Sequence, residues 1–289
     1  MDYASEKEWK TLINSLENDF NSLETNKKRA IREVGGRIVK SVKKNAADNC
    51  GVLFSGGIDS TLISFILKKL NIDFICYSVG LENAQDIEWA EKVARALGFK
   101  LKTRILSLDG LETVVKAVTN ILKEADVMKV SVGSVFYSAS LLAKKDGINI
   151  LFSGLGSEEI FAGYERHLNA MQSWENVHKE CWNGLKNMWE RDMKRDFLIA
   201  KHNNIELRLP FLDKEVIASA MNIHPMYKIS KDEKKIILRE IAQEMGLPKE
   251  FAWRKKKAAQ YGSNFIKGLD KLARMNRFEY KKDYLRSLV

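Results

Sequence analysis

Between residues 50 and 154 the hydrophobic pattern changes period again and again, and this alternation constrains the fold more than any other feature of the chain. Short apolar runs at "CGVLF" (50–54), "DFICYSVG" (73–80), "KLKTRILSL" (100–108) and "INILFSG" (148–154) read as strands. Between them, "STLISFILKKL" (60–70) places Leu62, Ile63, Ile66, Leu67 and Leu70 on one helical face, and "DIEWAEKVARALG" (86–98) is a helix closed by Gly98. Two more helical segments fall at about 111–123 and 134–145. Strands separated by helices of this length predict a parallel sheet with helices on both faces. From about residue 158 the pattern is almost all helical, with Trp174, Trp182 and Trp189 expected to pack a helical part. The predicted class is therefore α/β followed by α. Upstream, residues 6–44 read as a single helix with Ile31, Val34, Ile38 and Val42 on one face.

A chain of 289 residues, 45% hydrophobic and 30% charged, can bury a real core and has the composition of a globular protein rather than a disordered one. Its 3 prolines mark no linker. The N-terminus "MDYASEKEWK" lacks an apolar core for a signal peptide, and no window nears 18 uninterrupted apolar residues. Cys50, Cys76 and Cys181 are odd in number and contain no CxxC pair, which argues against a disulfide scaffold or a structural zinc site. A soluble cytoplasmic protein with no membrane partner is expected. The net charge of +10 has two readings, an affinity for polyanions such as tRNA or a set of lysine-rich solvated helix faces.

In open α/β sheets ligands sit beyond the carboxyl ends of the strands. Two glycine-rich turns are expected there: Ser55-Gly56-Gly57 after the first strand and "SGLGSEE" (153–159) after the fourth. In "SGGIDS" (55–60), a glycine turn and a helix N-terminus together form a concave anion site, with hydroxyls from Ser55 and Ser60. Asp59 repels phosphate unless a metal stands between them, so it reads as a Mg²⁺ ligand. The plainer reading is a tight turn in which Asp59 or Ser60 caps the helix. The loop is not a Walker A motif, because no lysine follows the glycines.

"SGGIDS" behind a strand resembles the signature of the PP-loop ATP pyrophosphatases, which split ATP between its α and β phosphates. "FSGLGSEEIFAGYERH" (152–167), "IELRLPFLDKEVI" (205–217), "KKIILRE" (234–240) and "FAWRKKKAAQYG" (251–262) resemble, in order and spacing, the synthetase domain of the asparagine synthetase family. The β-lactam-forming relatives share that domain. The resemblance spans about residues 27–270, which sets residues 1–26 apart as an N-terminal helical extension and 27–289 as the synthetase-like domain. It implies ATP and Mg²⁺. Leu53, Val79, Ser153 and Gly154 would contact adenosine and the α-phosphate, and Ser55, Gly56, Gly57 and Ser60 the pyrophosphate. Asp59 and Glu158 would bind the metal. Lys256 would neutralise phosphate charge during adenylation, Asp192 would belong to an active-site polar pair, and Lys235 and Arg239 would lie near the phosphates. The implied reaction converts a carboxylate into an acyl-adenylate, which ammonia or an amine then attacks.

Three features depart from the family pattern. The glutamine-hydrolysing half begins with a cysteine directly after the initiator Met; here position 2 is Asp2, so nitrogen must come from free ammonia, another amine or a separate glutaminase subunit. The family's "SGEGSDE" reads "SGLGSEE" here: Leu155 replaces a residue that acts in intermediate formation or proton transfer, and Glu158 is one methylene longer than the usual Asp. Three hypotheses follow: an AMP-forming amide ligase acting on a small carboxylate, a PP-loop enzyme that adenylates a tRNA base, and an ATP-binding protein without ligase activity.

Overall fold

The computed structural model describes residues 5–255 and 258–289. Helix α1 (Glu6–Leu16) begins where Ser5 accepts a hydrogen bond from the Glu8 amide, and it ends at Glu17, whose backbone is extended. The expected single helix over 6–44 is therefore two. The segment between holds Asn18, Asp19, Asn21 and Ser22, short polar side chains that bond nearby backbone and compete with the helical ladder. Asp19 accepts from the Asn21 amide at 2.7 Å, and Ser22 Oγ donates to the Asp19 carbonyl at 2.8 Å. Asn26 then caps α2 (Lys27–Asn45).

The sheet follows as read: β1 (Cys50–Leu53), α3 (Ile58–Lys69), β2 (Phe74–Gly80), α4 (Gln85–Leu97), β3 (Leu101–Ile105), α5 (Leu108–Leu122), α6 (Val127–Lys145) and β4 (Ile150–Phe152). Gly98 takes the left-handed conformation that closes α4, as expected. Beyond β4 come α7 (Ser157–Ile160), α8 (Glu165–Asn169), α9 (Trp174–Lys186), α10 (Lys194–His202), β5 (Glu206–Arg208), α11 (Lys214–Met221) and α12 (Ile236–Glu244), with further helices to the end of the chain. All five strands are parallel, in the order β3-β2-β1-β4-β5. Strand β5, three residues long, is absent from the sequence reading; it is too short to show a period.

This order places the functional end of the sheet. The crossovers β1-α3-β2 and β2-α4-β3 step outward on one side. The return through α5 and α6 to β4 steps back past β1, and right-handed connections put it on the opposite face. The chain therefore reverses direction between β1 and β4. Their carboxyl ends diverge there and leave a crevice. Both glycine turns open into it.

Behind the sheet, one hydrophobic cluster runs from Trp9 to Leu285. Trp9 and Ile13 of α1 are fully buried, and the Trp9 indole donates to the Leu185 carbonyl at 2.7 Å. Of the three tryptophans expected to pack the helical part, Trp182 is buried and Trp189 lies against the core, whereas Trp174 stands at the surface. Cys50, Cys76 and Cys181 are all buried and free. No helix among the described residues is long and apolar enough to cross a membrane.

Candidate active site

The first turn owes its shape to Gly56. At φ +65° it lies in the left-handed region, and a Cβ there would come within 3.0 Å of the Trp89 backbone. Gly57 is extended and heads α3 without any side-chain cap, so the amides of that first turn point into the crevice. Ser60 Oγ closes the loop, donating to the Gly57 carbonyl at 3.3 Å and accepting from the Ser55 amide at 3.4 Å. The second turn packs directly against the first: a Cβ on Gly154 would meet Asp59 Cβ at 2.6 Å. Two segments some ninety residues apart therefore touch because β1 and β4 are neighbours.

Lys235 joins them. Its backbone is left-handed at the N-terminus of α12, and its side chain reaches 2.8 and 2.9 Å from the two Asp59 carboxylate oxygens, 2.6 Å from Glu158 and 3.0 Å from Ser157 Oγ. Burial works against its charge, but Asp59 and Glu158 outweigh burial and hold the ammonium above its ordinary range. The expected metal ligands thus converge on one point, with a cation between them. Two carboxylates against one ammonium leave a residual negative charge. Mg²⁺ takes one or two carboxylates plus phosphate oxygens, and this donor set fits it. Among the described residues no cluster of three His, Cys, Asp or Glu forms a protein-only metal cage.

A second network lies beside this one. Asp192 sits on a π-turn (Trp189–Met193) leading into α10 and accepts from Arg191 Nε at 2.6 Å and Arg195 Nη1 at 3.3 Å. Arg191 also binds Glu159, and Arg195 pairs with Asp196 at 2.7 Å. Glu159 is 1% exposed; burial, opposed by Arg191, pushes its carboxyl up to about 7. Its Oε2 has no hydrogen-bond partner. Glu159, at the end of the SGLGSEE turn, and Arg191, Arg195 and Asp196 are not among the site residues expected from the sequence. The spacing of Asp192, Arg195 and Asp196 at i, i+3 and i+4 is the only local signal, and a solvated helix face gives the same one.

The remaining expected residues divide by what they touch. Leu53, Ser55, Asp59, Ser60, Val79, Ser153, Gly154, Glu158, Asp192, Lys235 and Arg239 all line one cleft of about 880 Å³, within the range of small-molecule sites. Gly56 and Gly57 shape its first turn without lining it. Arg239 directs its donors at backbone, to the carbonyls of Lys234 (2.8 Å), Ala252 (2.7 Å) and Arg254 (3.2 Å). It thereby holds the 252–254 segment against the head of α12. Arg254, which the sequence shows only as part of a charge run, is buried, donating to the Ser55 carbonyl at 2.5 Å and to Asp86 at 3.0 Å. Lys256 lies outside the described residues; Lys255 and Ala258 on either side of it line the cleft.

A parallel α/β sheet with paired glycine turns at its switch point, one of them SGGIDS, defines a PP-loop type of protein. Residues 33–178 and 169–277 match the asparagine synthase family, and the chain belongs to it. It is 33% identical to putative asparagine synthetase [glutamine-hydrolyzing] 1 of Methanocaldococcus jannaschii, an alignment that covers 91% of this chain and 56% of that protein. It is 32% identical to the probable asparagine synthetase [glutamine-hydrolyzing] of Acanthamoeba polyphaga mimivirus, covering 86% of this chain and 45% of the other. The chain thus spans about half the length of the curated relatives it matches. Among solved structures, the NMN synthetase of Francisella tularensis superposes with a TM-score of 0.45 at 11% identity, over 91% of this chain and 94% of that one.

Proposed function

We propose that this chain is an ATP-dependent ligase that adenylates a small carboxylate, releases pyrophosphate, and passes the acyl group to ammonia or an amine, with AMP leaving. The observation that carries this reading is the convergence of Asp59, Glu158 and Lys235 at the meeting point of two strand-end turns. An acyl-adenylate is needed because a carboxylate resists attack by a neutral amine. Forming it requires the α-phosphorus to accept the carboxylate oxygen while the pyrophosphate departs.

Each residue has a role in that step. Leu53 and Val79 seat the adenosine, with Ser153 and Gly154 beside the α-phosphate. The amides of the Gly56-Gly57 turn and the hydroxyls of Ser55 and Ser60 hold the departing pyrophosphate, where negative charge grows. Mg²⁺, held by Asp59 and Glu158, would neutralise the phosphate oxygens and orient them for in-line displacement. Lys235 fixes the two carboxylates in place, and Lys256 supplies a further positive charge. Asp192, held by Arg191 and Arg195, presents a rigid polar wall for the acceptor substrate. Leu155 lines the same cleft with an aliphatic side chain, so proton removal from the attacking amine falls to another group. The attacking nitrogen is that of ammonia or an amine.

The test is pyrophosphate release from ATP and Mg²⁺ with aspartate and then a panel of other carboxylates, with and without ammonium. Release that requires a carboxylate, with an amide product in the presence of ammonium, is the expected result. ATP binding without pyrophosphate release across the whole panel would overturn the reading.

A further inference from the structure

The chain's positive charge is concentrated in one place. Helix α2 carries eight Lys and Arg against a single Glu, a net +7 of the chain's +10, in 19 residues. Four of these cations are tied along the helix flanks to carboxylates from other segments: Lys27 to Glu240, Arg29 to Glu24, Arg37 to Glu215 and Lys44 to Asp213. The other four, Lys28, Arg32, Lys40 and Lys43, are exposed along the crest and make no ion pair among the described residues. At 1.5 Å per residue the crest runs about 22 Å. Other helices here soften their lysines with partners four residues away, as in Lys10–Glu6, Lys116–Glu112, Lys179–Glu175 and Lys194–Glu190. Along the crest, the positions four residues from these cations hold no acid except Glu24, before Lys28, and that carboxylate is paired with Arg29. Glu33, the one acidic residue of α2, lies four residues from Arg29 and from Arg37 instead.

The chemistry of this face selects its partner. It exposes no apolar or aromatic side chain, so a protein interface would lack the desolvated anchors that carry such binding, and unpaired bases would find nothing to stack on. Gly36 stands mid-crest, and a Cβ there would meet nothing within 4 Å, which leaves bare helix backbone open to close approach. A row of unpaired cations on a smooth helical ridge matches a regular row of phosphates. We propose that the crest of α2 is a docking surface for the sugar–phosphate backbone of a nucleic-acid duplex. This inference is independent of the ligase reading, since none of these side chains lines the cleft.

The test is fluorescence anisotropy of the full chain with labelled 20-base-pair RNA and DNA duplexes between 50 and 200 mM salt. Neutralising about four phosphates predicts a slope of log affinity against log salt of roughly −3 to −4, or about a hundredfold loss over that range. Lys28, Arg32, Lys40 and Lys43 changed together to Gln should cut affinity at least tenfold and flatten the slope by about three. Changing the exposed and unpaired Lys7, Lys145, Lys201 and Lys271 to Gln removes the same charge elsewhere and should leave the slope nearly unchanged. Gly36→Glu offers a check that folding defects cannot mimic: it should weaken binding severalfold while raising the melting temperature, because Glu is the better helix former. Whichever duplex binds more tightly identifies the source. Equal losses from the two quadruple variants, equal affinity for poly-glutamate, or no duplex binding at 50 mM salt would overturn the proposal.

Discussion

Lys235 and Lys28 carry the same ammonium on the same stem under opposite conditions. Lys235 is 5% exposed at its side chain and is held between Asp59 and Glu158. Lys28 stands on the open crest of α2 and makes no ion pair among the described residues. The same contrast holds for the cleft and the crest as wholes. In the cleft, Arg191, Arg195 and Arg254 are each fixed on a carboxylate, so the site is organised before anything binds. On the crest, charge is left uncompensated, mobile and sensitive to salt. Fixed charge suits chemistry, where the field must already point at the reacting atoms. Loose charge suits capture of a polyanion by counterion release. Lys228 is a third case, a fully buried ammonium that makes no ion pair among the described residues. Its side chain donates to Met221 Sδ at 3.8 Å, and burial lowers its ammonium to about 8.

Asp59 carries the largest expected effect. Asp59→Asn removes the carboxylate that holds Lys235 and, in the proposed reaction, Mg²⁺, and pyrophosphate release should fall by about a thousandfold or more. Circular dichroism should show an unchanged fold. A rate within tenfold of wild type would remove Asp59 from the metal site.

Lys228 sharpens the contrast in stability. Its folded value is lowered, so in native protein the proton leaves near pH 8 while the unfolded chain holds it to 10.5. The cost of the buried ammonium is therefore fully present below about pH 8 and is relieved as pH rises toward 10.5. Lys228→Met should stabilise the protein by roughly 3 kcal/mol at pH 7, with the gain vanishing above pH 10.5. Urea unfolding at pH 7 and pH 10.5 checks both halves, and a destabilised variant at pH 7 would show that the ammonium has a partner worth more than its burial.

Glu159 gives the smallest effect. Its carboxyl is raised, so the native state keeps a proton up to about pH 7 that the unfolded chain loses near 4.5. Stability should decline as pH rises across that window and level off above it, by about 3 kcal/mol in all, of which about 2.5 kcal/mol falls between pH 5 and pH 8. Glu159→Gln should remove this slope in denaturant melts at pH 5 and pH 8. An unchanged slope would mean that Arg191 and Arg166 keep Glu159 ionised throughout.

The sequence reading succeeded where information is local. Leu62, Ile63, Ile66 and Leu67 are buried as the helical period required. Gly98 ended its helix, and the two glycine turns fell at strand ends. It failed where short polar residues outcompeted a long helical pattern at 17–26, and at the three-residue β5. Trp174 looked like core and is not, because one aromatic residue on an amphipathic helix does not say which side it faces. Arg254 looked like part of a solvated charge run, yet it bonds the Ser55 carbonyl and Asp86, and no composition or spacing distinguishes a solvated guanidinium from one that bonds a distant loop.

The alternating α/β plan, the glycine turn after the first strand and the residue types of the cleft were legible in the sequence, since each depends on neighbours within a few positions. Tertiary structure alone decided that β4 lies beside β1, and that decision placed Gly154 against Asp59. It also brought Lys235 to Asp59 across 176 residues of chain and Arg191 to Glu159 across 32. Such pairings are set by the direction of crossovers and the burial of whole helices. A charged side chain carries no mark of which opposite charge the folded chain will bring to it.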